Sequence, residues 1–258
     1  MNVIALLELI LAHILSDFFF QWETMVKEKR KCNLKYVFGH ALIHAATAYI
    51  IVHDFQNWVL PLVVFVSHAL IDYVKYRFED NWKIFTIDQI VHLLVIIGVW
   101  VYWYCPDFEL CREVMGVDKL MTKKLLIIAI AFGVVLKPTS ICITYFISKW
   151  APEVSENWGS ENEPSEIVSS EGKPMSNRKN GLKYAGEWIG YFERSLIVFF
   201  VITGYFDAVG FLLAAKSVFR YGDLKKKDEI SITEYVLLGT LASFSSAIFV
   251  GFVVKSLI

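Results

Sequence analysis

Apolar residues in this chain come in long, nearly continuous runs instead of the narrow stripe of a surface helix or the alternation of a half-buried strand. Windows of the ~20 mostly apolar residues that a membrane-crossing helix needs fall at 3–21, 36–53, 59–77, 84–104, 125–148, 184–204, 207–221 and 232–254. The pattern predicts an all-α, polytopic transmembrane helix bundle of about eight spans. The window 207–221 is short and carries Lys216, so it either spans or re-enters. The first run starts at the initiator Met without a basic leader or a small-residue cleavage site, which predicts that it stays in the mature protein.

From 150 to 181 the apolar pattern gives way to Glu, Ser, Asn and Pro, the composition of a disordered cytoplasmic linker. The expected organisation is a five-span part at 1–149, the linker at 150–181, and a three-span part at 182–258. No internal repeat relates the two helical parts, which argues against an inverted-repeat transporter.

Composition narrows the class further. The 258 residues are 56% hydrophobic, 16% aromatic and 20% charged, with a mean hydropathy of +0.49. Soluble chains run at about 45–50% apolar and about 25% charged. Six Pro, 14 Gly and four Cys are too few for a disordered chain, a collagen or a disulfide scaffold. With 25 Lys+Arg against 26 Asp+Glu there is no basic excess, and no nucleic acid is expected as a partner.

Most loop Lys and Arg residues fall in 27–35, 75–83, 149–183 and 220–227. The alternate loops hold only Arg112, Lys119, Lys123, Lys124 and Lys255. Basic loops stay cytoplasmic, so the expectation is a multi-pass protein of the cytoplasmic (inner) membrane with its N-terminus outside, in contact with membrane lipids. Cys105 and Cys111 share an outer loop and can pair if that face is oxidising; Cys32 faces the cytosol and Cys142 lies in a span.

The polar residues of the first four windows are ordered. They are His13 and Asp17, His40 and His44, His68 and Asp72, then Asp88, Gln89 and His92. Each His/Asp pair is spaced i, i+4, which stacks both side chains on one helix face. The chain alternates direction between windows, yet Asp17, His40, Asp72 and Asp88 all fall within ~6–8 Å of the same boundary at the rise of an α-helix. One intramembrane His usually serves helix packing. Four pairs at one depth point instead to a shared ligand.

Three unpaired aspartates inside a bilayer would cost on the order of 8 kcal/mol even on the lenient insertion scale. A divalent cation offsets that cost. Imidazole with carboxylate suits zinc first, with iron, manganese or nickel also possible, and the eight candidate ligands His13, Asp17, His40, His44, His68, Asp72, Asp88 and His92 exceed the needs of one tetrahedral ion, so two ions are expected. His53 has no partner at i±4 and is read as structural. Gln21, one turn beyond Asp17, is placed to orient a ligand.

The C-terminal part adds intramembrane cations: Lys137, Arg194, Lys216 and, one turn on, Arg220. Pro138 predicts a kink after Lys137. Glu187, Glu193 and Glu234 are candidate counter-charges. Two readings stand side by side: ion pairs that let helices pack, or an anion pocket suited to phosphate. Gly186, Gly190, Gly239, Thr240 and Ser243 suit close helix approach.

The segments HILSDFFFQ, GHALIH, SHALIDYVK and DQIVH, followed by KPTS, GEWIGYFERSL, GFLLAAKSVFR and EYVLLGTLASF, resemble a widespread bacterial family of multi-pass membrane proteins of unknown function. The likeness covers the chain outside the linker and implies a shared fold and shared polar residues. The H-x3-D motif of the third window is similar to one in membrane-bound metal-dependent hydrolases.

The leading expectation is therefore a metal-dependent hydrolase of a phosphate-containing lipid or other small anionic amphiphile. Asp88 would act as general base, and Arg194 and Lys216 would neutralise developing phosphate charge. The alternatives are a divalent-metal or proton transporter built on the same residues, and a partner protein whose metal only cements the bundle.

Overall fold

The computed structural model describes residues 3–78, 81–104, 117–150, 185–221 and 230–258. The Cys105–Cys111 pair and nearly all of the expected linker at 150–181 lie outside them. All regular structure among the described residues is helical: α1 Val3–Ile14, α2 Glu23–Arg30, α3 Leu34–Val52, α4 Val59–Lys75, α5 Trp82–Tyr104, α6 Val117–Ile147, α7 Ala185–Thr203, α8 Phe206–Tyr221 and α9 Ile230–Leu257.

Each of the eight windows corresponds to a helix, but eight spans are not what the helices support. Among the described residues, four stretches are long and apolar enough to cross a membrane: Leu34–Val52, Trp82–Tyr104, Lys119–Trp150 and Glu234–Leu257. A fifth arises if Val3–Phe19 and Glu23–Arg30 count as one broken span. The window at 207–221 forms α8, which does not reach that length.

The chain divides into two compact units, Met1–Pro138 with Ser256–Ile258, and Thr139–Lys255. In the first unit α1, α3, α4 and α5 pack against one another. Small residues at 3–4 spacing suit the close approach: Ala41, Ala45 and Ala48 on α3 and Ala5 and Ala12 on α1 are all buried, and Ala48 packs in one cluster with Ala5 and Ala12. Asn33 caps α3, its Oδ1 accepting from Lys35 N at 3.2 Å. Asn81 Oδ1 does the same at the start of α5, accepting from the backbone N–H of Lys83 and Ile84 at 3.0 Å each.

α1 does not end in a plain loop. Leu15–Phe19 form a π-helical turn, closed by Phe20 N donating to Leu15 O at 2.9 Å. The chain then bends by 86° into α2. This helix, read from the sequence as cytoplasmic loop, folds back with Met25 and Lys29 buried. His53, read as structural, closes α3 in the left-handed region at φ 55°, with its Nδ1 3.0 Å from Ile51 O.

Polarity in this unit is inverted relative to a soluble protein. Phe38, Leu42, Ile50, Leu62, Leu70 and Leu94 are exposed, while His40, His44, His68, Asp72, Asp88 and His92 are buried. Apolar solvent outside and polar groups inside is the arrangement a bilayer selects.

Candidate metal centre

The π-helical turn carries Asp17 at the end of α1, and α3, α4 and α5 bring in the histidines. Around Asp17 Oδ1 lie His40 Nε2 at 3.0 Å, His44 Nε2 at 3.3 Å and His68 Nε2 at 3.8 Å. His40 Nε2 and His44 Nε2 face each other at 3.2 Å. A tetrahedral ion with ligand bonds of about 2.0–2.1 Å needs donors separated by roughly 3.3–3.4 Å. The spacings scatter about that value.

The protonation pattern agrees with a cation. His68 Nε2 is buried without a hydrogen-bond partner, and so is His92 Nε2. His92 Nδ1 lies 2.9 Å from the Asp88 backbone O and so carries the ring hydrogen, leaving Nε2 as a bare acceptor. Two facing imidazole nitrogens beside two unpartnered ones form a poor hydrogen-bond network and a good donor set for a borderline divalent metal.

Two ligand groups are present among the described residues: Asp17, His40, His44 and His68, and His68, Asp72 and His92. They share His68. All eight expected ligands converge, though not equally. His13 stands beside the first group, its Nε2 3.7 Å from Asp17 Oδ2 and its ring 5.1 Å from that of His92. Asp88 stands beside the second, 3.5 Å from His92 Nδ1.

Two lysines, counted from the sequence as loop charges, belong to this site. Lys29 Nζ donates to Asp72 Oδ2 at 2.8 Å, and Lys75 Nζ to Asp88 Oδ2 at 2.6 Å. Both ammonium groups also lie over the Tyr76 ring, 5.4 and 5.7 Å from its centroid. Two of the three carboxylates therefore already carry a counter-charge, which revises the cost argued from sequence; Asp17 is the carboxylate without a lysine.

Two amides organise the rest. Gln89 Nε2 donates to Asp17 Oδ2 at 2.9 Å and to Asp88 Oδ2 at 3.2 Å, while its Oε1 lies 3.4 Å from His13 Nε2. Gln21 donates to the Asp17 backbone O at 3.0 Å and accepts from Lys29 Nζ when its amide is turned to match its neighbours. Its expected place near a ligand is thus occupied, through Asp17 and Lys29. Lys75 sits three residues after Asp72, so its proximity was readable; Lys29 was not, because nothing in the sequence marks the bend that returns α2.

On the other side of the histidines the character changes. A small cavity of about 40 Å³ lies against His13, His44, His68 and His92, room for a few water-sized groups. Its remaining wall is mostly apolar, including Leu9, Ala48, Val64 and Val99. Beyond it the buried core consists of Ala5, Leu9, Ala12, Ala48, Val52, Leu60, Val99 and Trp100; Glu8, on α1, is only partly buried.

Arg194 and Lys216 belong to the second unit. Arg194 donates to Ser140 Oγ at 2.5 Å and Ser243 Oγ at 3.2 Å, and Lys216 donates to Glu193. Glu187 accepts from the Tyr191 hydroxyl. The side chain of Arg220 lies outside the described residues.

Residues 5–121 match the model of a family described as a protein of unknown function, DUF3307. The matched stretch takes in α1 to α5 and all eight His/Asp positions, in keeping with the expected family of unknown function. No curated protein and no solved structure matches the chain.

Proposed function

We propose that this is a membrane-embedded metalloprotein in which Asp17, His40, His44 and His68 hold one divalent cation, zinc by its donor preferences, and that the centre serves hydrolysis of a phosphate-containing amphiphile. The observation that carries the metal is the set of donor atoms within 3.0–3.8 Å of Asp17 Oδ1, one of which, His68 Nε2, is buried with no hydrogen bond.

Charge supports one ion instead of two. With neutral imidazoles, three carboxylates and two ammonium groups leave one net negative charge, which one divalent ion overcompensates by a single unit and two ions by three. The shared His68 argues the same way. Asp72 and His92 then stand as neighbours that steer the cluster.

Hydrolysis is favoured over carriage by what lies beyond the histidines. A conduction route needs polar groups across the full thickness of the bilayer, whereas the buried core on the α1 N-terminal side is apolar. The water-sized cavity at the histidine edges suits a water molecule as co-reactant. A divalent ion supplies Lewis acidity, lowering the pKa of water toward 7. Asp88, ion-paired to Lys75 and outside the four-ligand set, is the candidate general base.

The test is phosphate release from phosphatidic acid and from a polyprenyl phosphate by purified, zinc-loaded protein. Release that disappears in His68→Ala and Asp17→Ala supports the reading. Stoichiometric zinc with no release from either substrate overturns hydrolysis and favours a metal that cements the bundle, for which a complete four-ligand set is also suited. Zinc uptake into proteoliposomes, lost in His68→Ala, would favour carriage.

A further inference from the structure

The second unit holds a larger, open cleft that contains none of the His/Asp residues. It measures about 890 Å³, near the upper end of small-molecule sites at about 300–1,000 Å³. α6, α7, α8 and α9 all contribute to it, with walls that include Ile143, Ile147, Ile189, Leu212, Ala215 and Val236. Set into these walls are Arg194 and Lys216, the carboxylates of Glu187 and Glu193, and the hydroxyls of Ser140, Thr240 and Ser243; Glu193 is taken up by Lys216 and Glu187 by the Tyr191 hydroxyl.

The guanidinium is built into place. Arg194 is only 4% exposed. Ser140 on α6 and Ser243 on α9 accept its hydrogen bonds from two sides. Gly190, one turn before it on α7, makes room, since a Cβ there would stand 3.1 Å from Arg194 Nη1. Serine hydroxyls can both accept from the guanidinium and donate onward to an oxyanion. Lys216, anchored by Glu193, adds a second cation in the same cavity. A planar fork of N–H donors with hydroxyls beside it matches the oxygens of a phosphate, and the apolar walls match acyl or prenyl chains.

The geometry points to this cavity as a binding site for a phosphate headgroup, held by Arg194, Ser140 and Ser243 with Lys216 alongside, and the chemistry of its walls selects a phosphate-bearing amphiphile. The inference stands apart from the metal centre and needs neither metal nor turnover.

The experiment measures binding of fluorescent phosphatidic acid to the full-length protein in detergent, after metal removal by chelation. Diacylglycerol serves as the phosphate-free control and inorganic phosphate as competitor. Saturable binding of phosphatidic acid but not diacylglycerol is expected. Arg194→Gln should weaken it by about tenfold or more, the scale of a lost charge-assisted hydrogen bond. Gly190→Ala, which displaces the guanidinium while favouring the helix, should weaken it less at unchanged melting temperature, so the site remains testable if Arg194→Gln fails to fold. Competition by millimolar inorganic phosphate would assign recognition to the headgroup alone; lack of competition would show that the chains are needed as well. Equal binding of diacylglycerol and phosphatidic acid, or wild-type affinity in folded Arg194→Gln and Gly190→Ala, would overturn the proposal. Because the assay is run without metal, failure here leaves hydrolysis at the metal centre standing, and the reverse.

Discussion

Lys29 Nζ lies 2.8 Å from Asp72 Oδ2, with the two side chains only 1% and 2% exposed. This buried ion pair ties α2, the helix that folds back after α1, to the end of α4. Removing one member of such a pair leaves the other charged and desolvated, at a cost of about 3–5 kcal/mol. Lys29→Met should therefore lower the thermal midpoint in detergent sharply, and Lys29→Met combined with Asp72→Asn should recover most of the loss. A single variant that melts like wild type would show that the pair contributes little to stability.

Sharing of His68 between the two ligand groups makes the metal content asymmetric under mutation. Elemental analysis of purified protein should find one ion per chain in wild type, near none in His68→Ala, and most of it retained in His92→Ala, because only the first group keeps its full set without His92. Two ions per wild-type chain would contradict the charge argument.

Chelation should unload stability as well as metal. An ion that binds only the folded state stabilises it by RT ln(1 + [L]/Kd), about 4 kcal/mol when the free ion is a thousandfold above Kd. The melting midpoint should fall when a strong chelator is added and rise again on adding zinc. The same titration on Asp17→Ala should show little change in either direction.

In the second unit α7 and α9 cross closely at Gly251. A Cβ there would stand 2.8 Å from Val201 Cβ and 2.9 Å from its Cγ1, closer than real carbon atoms approach. Gly251→Ala should destabilise that unit by about 1–3 kcal/mol, the usual cost of overpacking, while leaving metal content unchanged. Combining it with Val201→Ala should restore the melting behaviour.

The candidate ligands were legible because their information is local. His40 with His44 and His68 with Asp72 share a helix face by spacing alone, and the length of the apolar runs sets their depth. The charge state was not legible. Lys29 looks like any other basic residue of 27–35 until the π-helical turn at Leu15–Phe19 and the 86° bend return it to Asp72. Gln89 likewise reads as the neighbour of Asp88, and only the meeting of α1 with α5 gives it a bond to Asp17. The expectation of two ions came from the number of ligands alone; the charge argument for the single ion we propose needs Lys29 and Lys75, which the sequence places in loops.

Hydrophobic patterning is a property of single segments, and for this chain it was enough to specify an all-helical fold with several helices apolar enough to cross a membrane, the first of which carry imidazole and carboxylate pairs. It was not enough to say how many helices cross, since length and composition limit each helix separately, nor which carboxylates are already neutralised. Those depend on groups distant in sequence coming within a few ångströms inside a low-dielectric core, where one ammonium group changes the energy of its neighbours by more than any local propensity. Only the packed helices decide that.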